Sequence, residues 1–147
     1  MMTSIAKSQH HKSLIEGVHA ELAKGNGQPF VDLLAQDATW TIQGRTAWSR
    51  RYVGKAAIRD ELLTPLFAQF EGRYRSTAQR VIADDDLVVV QCQGQVATRR
   101  GQRYDNQYCY IYRLEGGRVV ELTEYLDTAL VDEVLAPPEK KALADVR

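Results

Sequence analysis

Apolar residues in the first half of the chain recur at the three- and four-residue spacing that is typical of amphipathic helices. A first helix is predicted from Ser13, which has capping-box spacing to Glu16, as far as about Lys24. A short second helix is predicted from Pro29, and a third, kinked by an internal proline, over residues 55–70. The N-terminal part of the chain is therefore predicted to be helical.

The second half of the chain alternates between apolar and polar residues with the period of two that marks β-strands. Four consecutive antiparallel strands are predicted near residues 73–82, 87–98, 103–114 and 118–127. A further short strand covers residues 38–43, and the aromatic-bearing loop that follows it can cover the mouth of a pocket. Helices followed by a meandering sheet indicate an α+β fold with the helices on one face of the sheet.

The same alternation assigns the side chains of each strand to an inner or an outer face. The predicted inner set comprises the following residues, strand by strand: Val88, Val90, Cys92, Gly94 and Val96; Tyr104, Asn106, Tyr108, Tyr110 and Tyr112; and Val120, Leu122, Glu124 and Leu126. One strand therefore presents a row of tyrosines to the interior. The last strand places a carboxylate there.

A row of tyrosine rings provides apolar walls with hydroxyl groups at fixed positions, which suits an organic ligand that carries a few oxygens. For Tyr108 and Tyr112, packing in an ordinary core explains the pattern equally well. The sequence thus predicts a pocket for a small apolar molecule. Its predicted ligand-binding residues are Trp40, Ile42, Trp48, Tyr52, Phe67, Val90, Cys92, Tyr108, Tyr112, Leu122 and Leu126.

Glu124 is the main candidate for chemistry, because it falls between Leu122 and Leu126 on the apolar side of its strand. Burial raises the pKa of a carboxyl group, which lets it act as a general acid or base near neutral pH. The alternative is a structural role, in which tyrosine hydroxyls and amides satisfy a buried carboxyl group. Burying a carboxylate is costly and perturbed acids concentrate at functional sites, so we favour the functional interpretation.

Composition and charge indicate an ordinary folded domain. The 147 residues, 44% hydrophobic and 26% charged, suit one domain with one core. Nineteen basic residues balance nineteen acidic ones, which argues against binding to nucleic acid or an anionic membrane. The sequence shows no bilayer-spanning run and no signal-peptide pattern, so a cytoplasmic location is predicted. Cys92 and Cys109 lack metal-site spacing and are expected to be buried free thiols.

The chain resembles the SnoaL-like group of the nuclear transport factor 2 superfamily in four stretches, LLAQDATWTI, YVGKAAIRDEL, ADDDLVVVQCQG and YDNQYCYIYRLEGGRVVELTEYLDT. The resemblance implies a cone-shaped, curved antiparallel sheet packed on N-terminal helices, a cystatin-like α+β barrel that is usually a homodimer. It covers residues 12–135, which leaves residues 1–11 as a flexible N-terminus and 136–147 as a C-terminal tail. The superfamily includes ketosteroid isomerase, polyketide cyclases, limonene-type epoxide hydrolases and pocketed proteins without known activity.

The catalytic residues of the superfamily's enzymes are mostly replaced in this chain. By this resemblance, the position of the ketosteroid isomerase base is occupied by Ile42 in this chain, and the position of its oxyanion-hole acid is occupied by Tyr110. The positions of the Arg and Asp of limonene-type epoxide hydrolases look like those of Cys92 and Gly94 in this chain. Their last-strand acid is matched by Glu124, so this residue alone carries over.

The leading hypothesis is an enzyme that acts by proton transfer on a polyketide-, terpene- or steroid-like compound, as an isomerase, cyclase, dehydratase or hydrolase. Glu124 is the expected general acid or base, with Tyr110 and Asn106 as hydrogen-bond partners of a substrate oxygen. No cofactor or metal motif is found, so none is expected. The alternatives are a non-catalytic ligand-binding module and a dimerisation domain. A homodimer through the outer sheet face, which carries Cys109, Ile111 and Tyr125, is also predicted.

Overall fold

Five helices, a π-helical segment and six strands make up the computed structural model, which describes residues 2–139. In chain order they are α1 (Ser4–Leu22), α2 (Gln28–Leu33), β1 (Leu34–Ile42), β2 (Arg51–Val53), α3 (Lys55–Ala57), the π-helical segment (Ile58–Leu63), α4 (Thr64–Phe67), β3 (Phe70–Asp84), β4 (Leu87–Thr98), β5 (Gln107–Glu115), β6 (Arg118–Leu126) and α5 (Thr128–Val134).

The six strands form one curved, open sheet in the order β2-β1-β6-β5-β4-β3. Strands β3 to β6 pair antiparallel in sequence order, as predicted, whereas β1 pairs parallel to β6. The fold is therefore α+β and matches the class expected from the sequence. The curved sheet is not closed into a barrel, because β2 and β3 remain at its edges.

Helix α1 begins at Ser4, nine positions before the predicted start at Ser13. The hydroxyl of Thr3 caps it by accepting a hydrogen bond from the Ala6 N–H at 3.0 Å. Residues 4–11, which the sequence analysis assigns to a flexible end, are helical because they dock on the β3–β4 turn. His11 Nδ1 lies 2.7 Å from the carbonyl oxygen of Asp85.

The third helical stretch follows the prediction but is divided into α3, the π-helical segment and α4. Pro65 lies in the first turn of α4 and offers no N–H to the preceding turn. The π-helical segment, Ile58–Leu63, occupies that preceding turn. The irregularity predicted from the proline is thus a π-helical widening of the turn that precedes it.

The inner faces of β4 and β5 are as predicted, since their valines and tyrosines are buried and the intervening residues are more exposed. On β6 the prediction fails at one position, because Val119 is buried and Val120 is only half-buried. The cause is a register shift, which pairs Arg113 with Glu121 but Leu114 with Val119. Beyond this shift the alternation holds, and Glu124 faces inward.

Two cysteines are free thiols, with Cys92 buried and Cys109 half-buried on the outer face of β5. Within residues 2–139, none of the helices has the length and apolar character that crossing a membrane requires. Over the same residues no three His, Cys, Asp or Glu side chains lie close enough together to hold a metal ion. Part of the predicted C-terminal tail, residues 140–147, lies outside the described residues.

The register shift in β6 predicts losses of stability of different size from two neighbouring valines. Val119 is 1% exposed, so Val119→Ala removes buried side-chain volume. The substitution should lower the free energy of unfolding by about 2 kcal/mol. Val120→Ala should cost less than half as much, because its side chain is half-buried. Urea unfolding of both variants measures the difference. Equal losses, or a larger loss at Val120, would contradict the observed register.

Candidate functional site

A cavity of about 660 Å³ lies between the inner face of the sheet and the helices that cover it. Its wall is contributed by α2, the helical stretch 55–67, α5 and the inner faces of β1, β3, β5 and β6. The lining is predominantly apolar. The residues that line it include Phe30, Trp40, Ile42, Trp48, Phe67, Phe70, Tyr74, Ser76, Tyr104, Tyr108, Tyr110, Glu124 and Leu126.

Within residues 2–139, Glu124 carries the one acidic side chain in this lining. Strand β6 holds it in the middle of the sheet, where it pairs with Ile42 of β1 and with Tyr110 of β5. The indole Nε1 of Trp40 donates a hydrogen bond of 3.0 Å to Oε1 of the carboxyl group. Among the described residues, Oε2 has no hydrogen-bond partner. One oxygen is therefore fixed by the protein and the other is free for a ligand.

The buried position of Glu124 raises the pKa of its carboxyl group. The side chain is 4% exposed, and this burial raises its pKa from 4.5 to about 8, although the Trp40 hydrogen bond opposes the shift. At neutral pH the group is therefore mainly protonated, with a minor ionised fraction. Such a group can both donate and accept a proton within the ordinary pH range.

Aromatic side chains surround the carboxyl group on one side of the cavity. The rings of Tyr108 and Tyr110 stack with centroids 5.3 Å apart, and Tyr110 meets Trp40 edge-on at 6.5 Å. Burial, followed by the nearby Glu124 charge and the other tyrosines, raises the pKa of Tyr110 well above 10. The hydroxyl of Tyr110 thus stays neutral and can donate a hydrogen bond.

Eight of the predicted site residues lie in the cavity wall. They are Trp40, Ile42, Trp48, Phe67, Tyr108, Tyr110, Glu124 and Leu126. Six others are buried but not in the wall, namely Tyr52, Val90, Cys92, Asn106, Tyr112 and Leu122. Alternation identifies which side chains point inward, but it does not show which of them packing covers.

Asn106, predicted to bind a substrate oxygen, instead uses its side-chain amide for hydrogen bonds within the protein. Its Nδ2 donates 3.1 Å hydrogen bonds to the Tyr104 hydroxyl and the Asp127 carbonyl oxygen. Its Oδ1 accepts from the N–H groups of Gln107 and Asp127 at 2.7 and 3.1 Å. The amide is satisfied on both sides by Tyr104, Gln107 and Asp127, so it is not available to a ligand.

Two predicted tyrosines are held away from the cavity by other partners. The Tyr112 hydroxyl lies 2.8 Å from Nε2 of His19 on α1, in a buried pair. Burial lowers the pKa of His19 to about 4, so its ring is neutral. The Tyr52 hydroxyl donates to the Trp48 carbonyl oxygen at 2.8 Å and fixes the loop between β1 and β2.

Several wall residues were not predicted, above all those of β3. Tyr74 and Ser76 point inward, while Arg73, Arg75 and Thr77 are exposed. This alternation was present in the sequence and would have identified them. Phe30 of α2 and Phe70 also line the cavity, and α2 is too short for its helical period to show which side faces the sheet.

Apart from Glu124, the charged lining residues in the described part of the chain are Lys55, Arg59 and Arg73, and all three are basic. Arg59 and Arg73 are exposed, and Lys55 is half-buried, so they lie toward solvent. Arg59 is paired with Asp60 at 2.8 Å. The cavity thus combines a positively charged exposed part with an interior whose carboxyl group is mainly uncharged at neutral pH.

Solved structures with the same architecture are numerous, and the following three share 15–19% of their residues with this chain. A candidate SnoaL-like polyketide cyclase from Jannaschia sp. CCS1 is 15% identical, with a TM-score of 0.73 over 95% of this chain and 100% of its own. A nuclear transport factor 2-like protein of unknown function from Burkholderia pseudomallei is 16% identical, with a TM-score of 0.71 over 86% and 98%. TerC, co-crystallized with polyporic acid, is 19% identical, with a TM-score of 0.71 over 85% and 97%.

No curated protein matches the chain. The family model described as SnoaL-like domain matches residues 15–122, from the middle of α1 to Leu122 of β6. The match spans well over half of the sequence and includes β1, whose Trp40 holds the Glu124 carboxyl group. With the fold shared by the solved structures above, it shows that the chain belongs to the SnoaL-like family.

Proposed function

We propose that the protein catalyses proton transfer on a small, largely apolar compound, with Glu124 as the general acid and base. The observation that carries this proposal is a carboxyl group buried in an apolar cavity, with Oε1 held by Trp40 and Oε2 free. A purely structural carboxyl group would be expected to have both oxygens satisfied by the protein. The free oxygen is therefore best explained by an exchange of protons with a bound ligand.

The proposed step is the removal of a proton from carbon beside a carbonyl group. The ionised form of Glu124 takes the proton on Oε2, and the C–H electron pair moves toward the carbonyl oxygen to form an enolate. The neutral hydroxyl of Tyr110 donates a hydrogen bond to that oxygen. In an isomerisation, Glu124 then returns the proton to a different carbon of the ligand. In a cyclisation, the enolate carbon instead attacks a second carbonyl carbon of the ligand, and Glu124 gives the proton to the alkoxide oxygen that forms.

The wall of the cavity and the family support the substrate class that we propose. Apolar and aromatic side chains, with few polar groups, favour a polyketide-, terpene- or steroid-like compound with a small number of oxygens. A solved structure of similar fold is a candidate SnoaL-like polyketide cyclase, and another, TerC, was co-crystallized with polyporic acid. Both are consistent with an oxygen-bearing organic ligand in this cavity.

We also propose a homodimer that forms through the outer face of the sheet. Tyr125 is 48% exposed on that face and pairs across the strands with the half-buried Cys109. Ile111 lies beside them and is half-buried. An apolar strip of this kind on a sheet face is a typical contact between identical subunits.

The raised pKa of Glu124 predicts a specific pH dependence of stability. Between pH 4.5 and about 8 the folded protein keeps a proton that the unfolded chain releases, so stability falls as the pH rises through this window. The free energy of unfolding of wild type minus that of Glu124→Gln should fall by about 1.4 kcal/mol per pH unit there. Denaturant unfolding at several pH values measures it. A pH-independent difference would contradict the shift.

Glu124→Gln should abolish proton transfer without unfolding the protein, since the amide keeps the shape but cannot take the proton. The assay is deuterium exchange at the acidic C–H of 2-tetralone in D₂O, followed by NMR. Loss of the base should slow the enzyme-catalysed exchange by about 100-fold or more. In wild type the exchange rate should rise with pH toward a plateau above about 8, as Glu124 ionises.

The matched control is Glu121→Gln, which changes an exposed carboxylate on the opposite face of the same strand. It should exchange 2-tetralone at the wild-type rate. Full activity in Glu124→Gln would refute the role of this residue. Binding of the ketone by wild type with no acceleration of exchange would instead support a non-catalytic ligand-binding protein.

The homodimer predicts that sedimentation at micromolar concentration gives twice the chain mass of 16.6 kDa. Tyr125→Lys places a charge in the proposed contact and should shift the protein toward monomer. Glu133→Lys, on the exposed side of α5, changes charge in the same direction and should remain dimeric. A wild-type monomer under these conditions would contradict the proposed interface.

A further inference from the structure

The mouth of the cavity is marked by the lining residues that are exposed to solvent. They lie on α2, on the helical stretch 55–67 and at the start of β3, and comprise Gln28, Arg59, Thr64, Phe67, Gly72 and Arg73. The cavity therefore opens between α2 and the helical stretch 55–67, next to the start of β3. A ligand that fills the cavity has one end at this mouth.

The charged side chains at the mouth have one sign. Lys55, Arg59 and Arg73 line the cavity there, whereas Glu124, the one acidic lining residue within residues 2–139, is buried in the interior. The sequence contains nineteen basic and nineteen acidic residues, so a general excess of basic residues does not explain the arrangement. Positive charges that share one opening repel one another, and an anion placed among them relieves this repulsion.

Two of these three cations have no acidic partner. The guanidinium of Arg59 is paired with the carboxylate of Asp60 by contacts of 2.8 and 3.2 Å, so much of its charge is compensated. Lys55 and Arg73 form no ion pair with a described residue, and each donates one hydrogen bond of 3.4 Å to a backbone carbonyl oxygen. An ammonium group has three donors and a guanidinium five. Most of their N–H groups are therefore left without a described partner.

The two backbone carbonyl groups place Lys55 and Arg73 at opposite ends of α2. Lys55 Nζ donates to Leu34, directly after the helix, and Arg73 Nη1 donates to Gly25, shortly before it. A Cβ on Gly25 would meet the Arg73 Cδ at 2.6 Å, so the glycine allows this side chain to lie across the loop. Helix α2 has six residues and is about 9 Å long. An anion at the mouth therefore lies within about one screening length of both cations.

We propose that the cavity selects an amphiphilic carboxylic acid, whose apolar body fills the interior while its carboxylate stays at the mouth and is attracted by Lys55 and Arg73. The aromatic and aliphatic wall suits the apolar body. The substrate class is thereby narrowed to compounds that carry an ionised acid group. This inference rests on the proposed function only in using the same cavity as the ligand site, and it does not require Glu124 to be catalytic.

The test compares acids with amides of nearly the same shape. The probes are biphenyl-4-ylacetic acid, 4-(biphenyl-4-yl)butanoic acid and the primary amide of each. Both tryptophans of the chain, Trp40 and Trp48, line the cavity, so their fluorescence reports binding. At neutral pH and low salt, wild type should bind the acid about fivefold more tightly than its amide, for whichever chain length reaches the mouth. The preference should shrink in about 0.5 M NaCl, because salt screens the charges.

The double variant Lys55→Gln with Arg73→Gln should bind acid and amide equally, with the amides bound as tightly as by wild type. Its matched control is Arg75→Gln with Arg80→Gln, which removes two positive charges from exposed positions of β3 outside the cavity wall. The control should keep the full preference. Equal binding of acid and amide by wild type at both chain lengths would overturn the proposal. A preference that persists in the first double variant, or that is lost in the control, would overturn it too.

The outcome is separable from that of the catalytic proposal, because 2-tetralone carries no charge. Wild type that exchanges 2-tetralone but binds acids and amides equally would remove only the selection at the mouth. Wild type that prefers the acids without exchanging 2-tetralone would be a non-catalytic protein that binds carboxylic acids. Failure to bind any of the four probes would overturn this inference, whereas exchange of 2-tetralone would still support the catalytic proposal.

Discussion

The hydrogen bond from Trp40 to Glu124 is the interaction on which the site depends. A carboxyl group loses its hydration when it is buried, and the described residues restore one hydrogen bond, at Oε1. That single bond fixes the direction of the carboxyl group and leaves Oε2 toward the cavity. A second protein donor would have lowered the pKa and occupied the free oxygen. The incomplete satisfaction of Glu124 is thus what makes an acid or base available near neutral pH.

The satisfied polar groups of the interior show the contrast. Asn106, next to β5, uses both sides of its amide to hold Asp127 between β6 and α5, and the Tyr112 hydroxyl is paired with His19. These groups are as deeply buried as Glu124, yet none of them lines the cavity. Among the described residues, the Glu124 Oε2 and the Tyr110 hydroxyl belong to cavity-lining side chains and have no hydrogen-bond partner in the protein. Burial alone therefore does not identify a functional residue, whereas burial with a free polar atom at a cavity does.

The sequence predicted the α+β class, the four-strand meander and the inward position of Glu124, because a period of two is a local property of each strand. It did not predict the N-terminal half of α1, which is held by contact with the distant β3–β4 turn. It also missed the pairing shift that buries Val119 in place of Val120, since a bulge depends on the partner strand. The division of inward residues into cavity wall and covered core depends on tertiary packing, which no local pattern contains.

The parallel pairing of β1 with β6 has a consequence for how the chain folds. Trp40 and Glu124 are 84 positions apart, so their hydrogen bond closes a loop of most of the chain. The hairpins between β3 and β6 have far shorter loops and can form before β1 joins them. The edge of β6 then stays open, with its carboxyl group hydrated, until the first strand docks. In that order of events, pairing of β1 with β6 would both complete the sheet and bury the Glu124 carboxyl group.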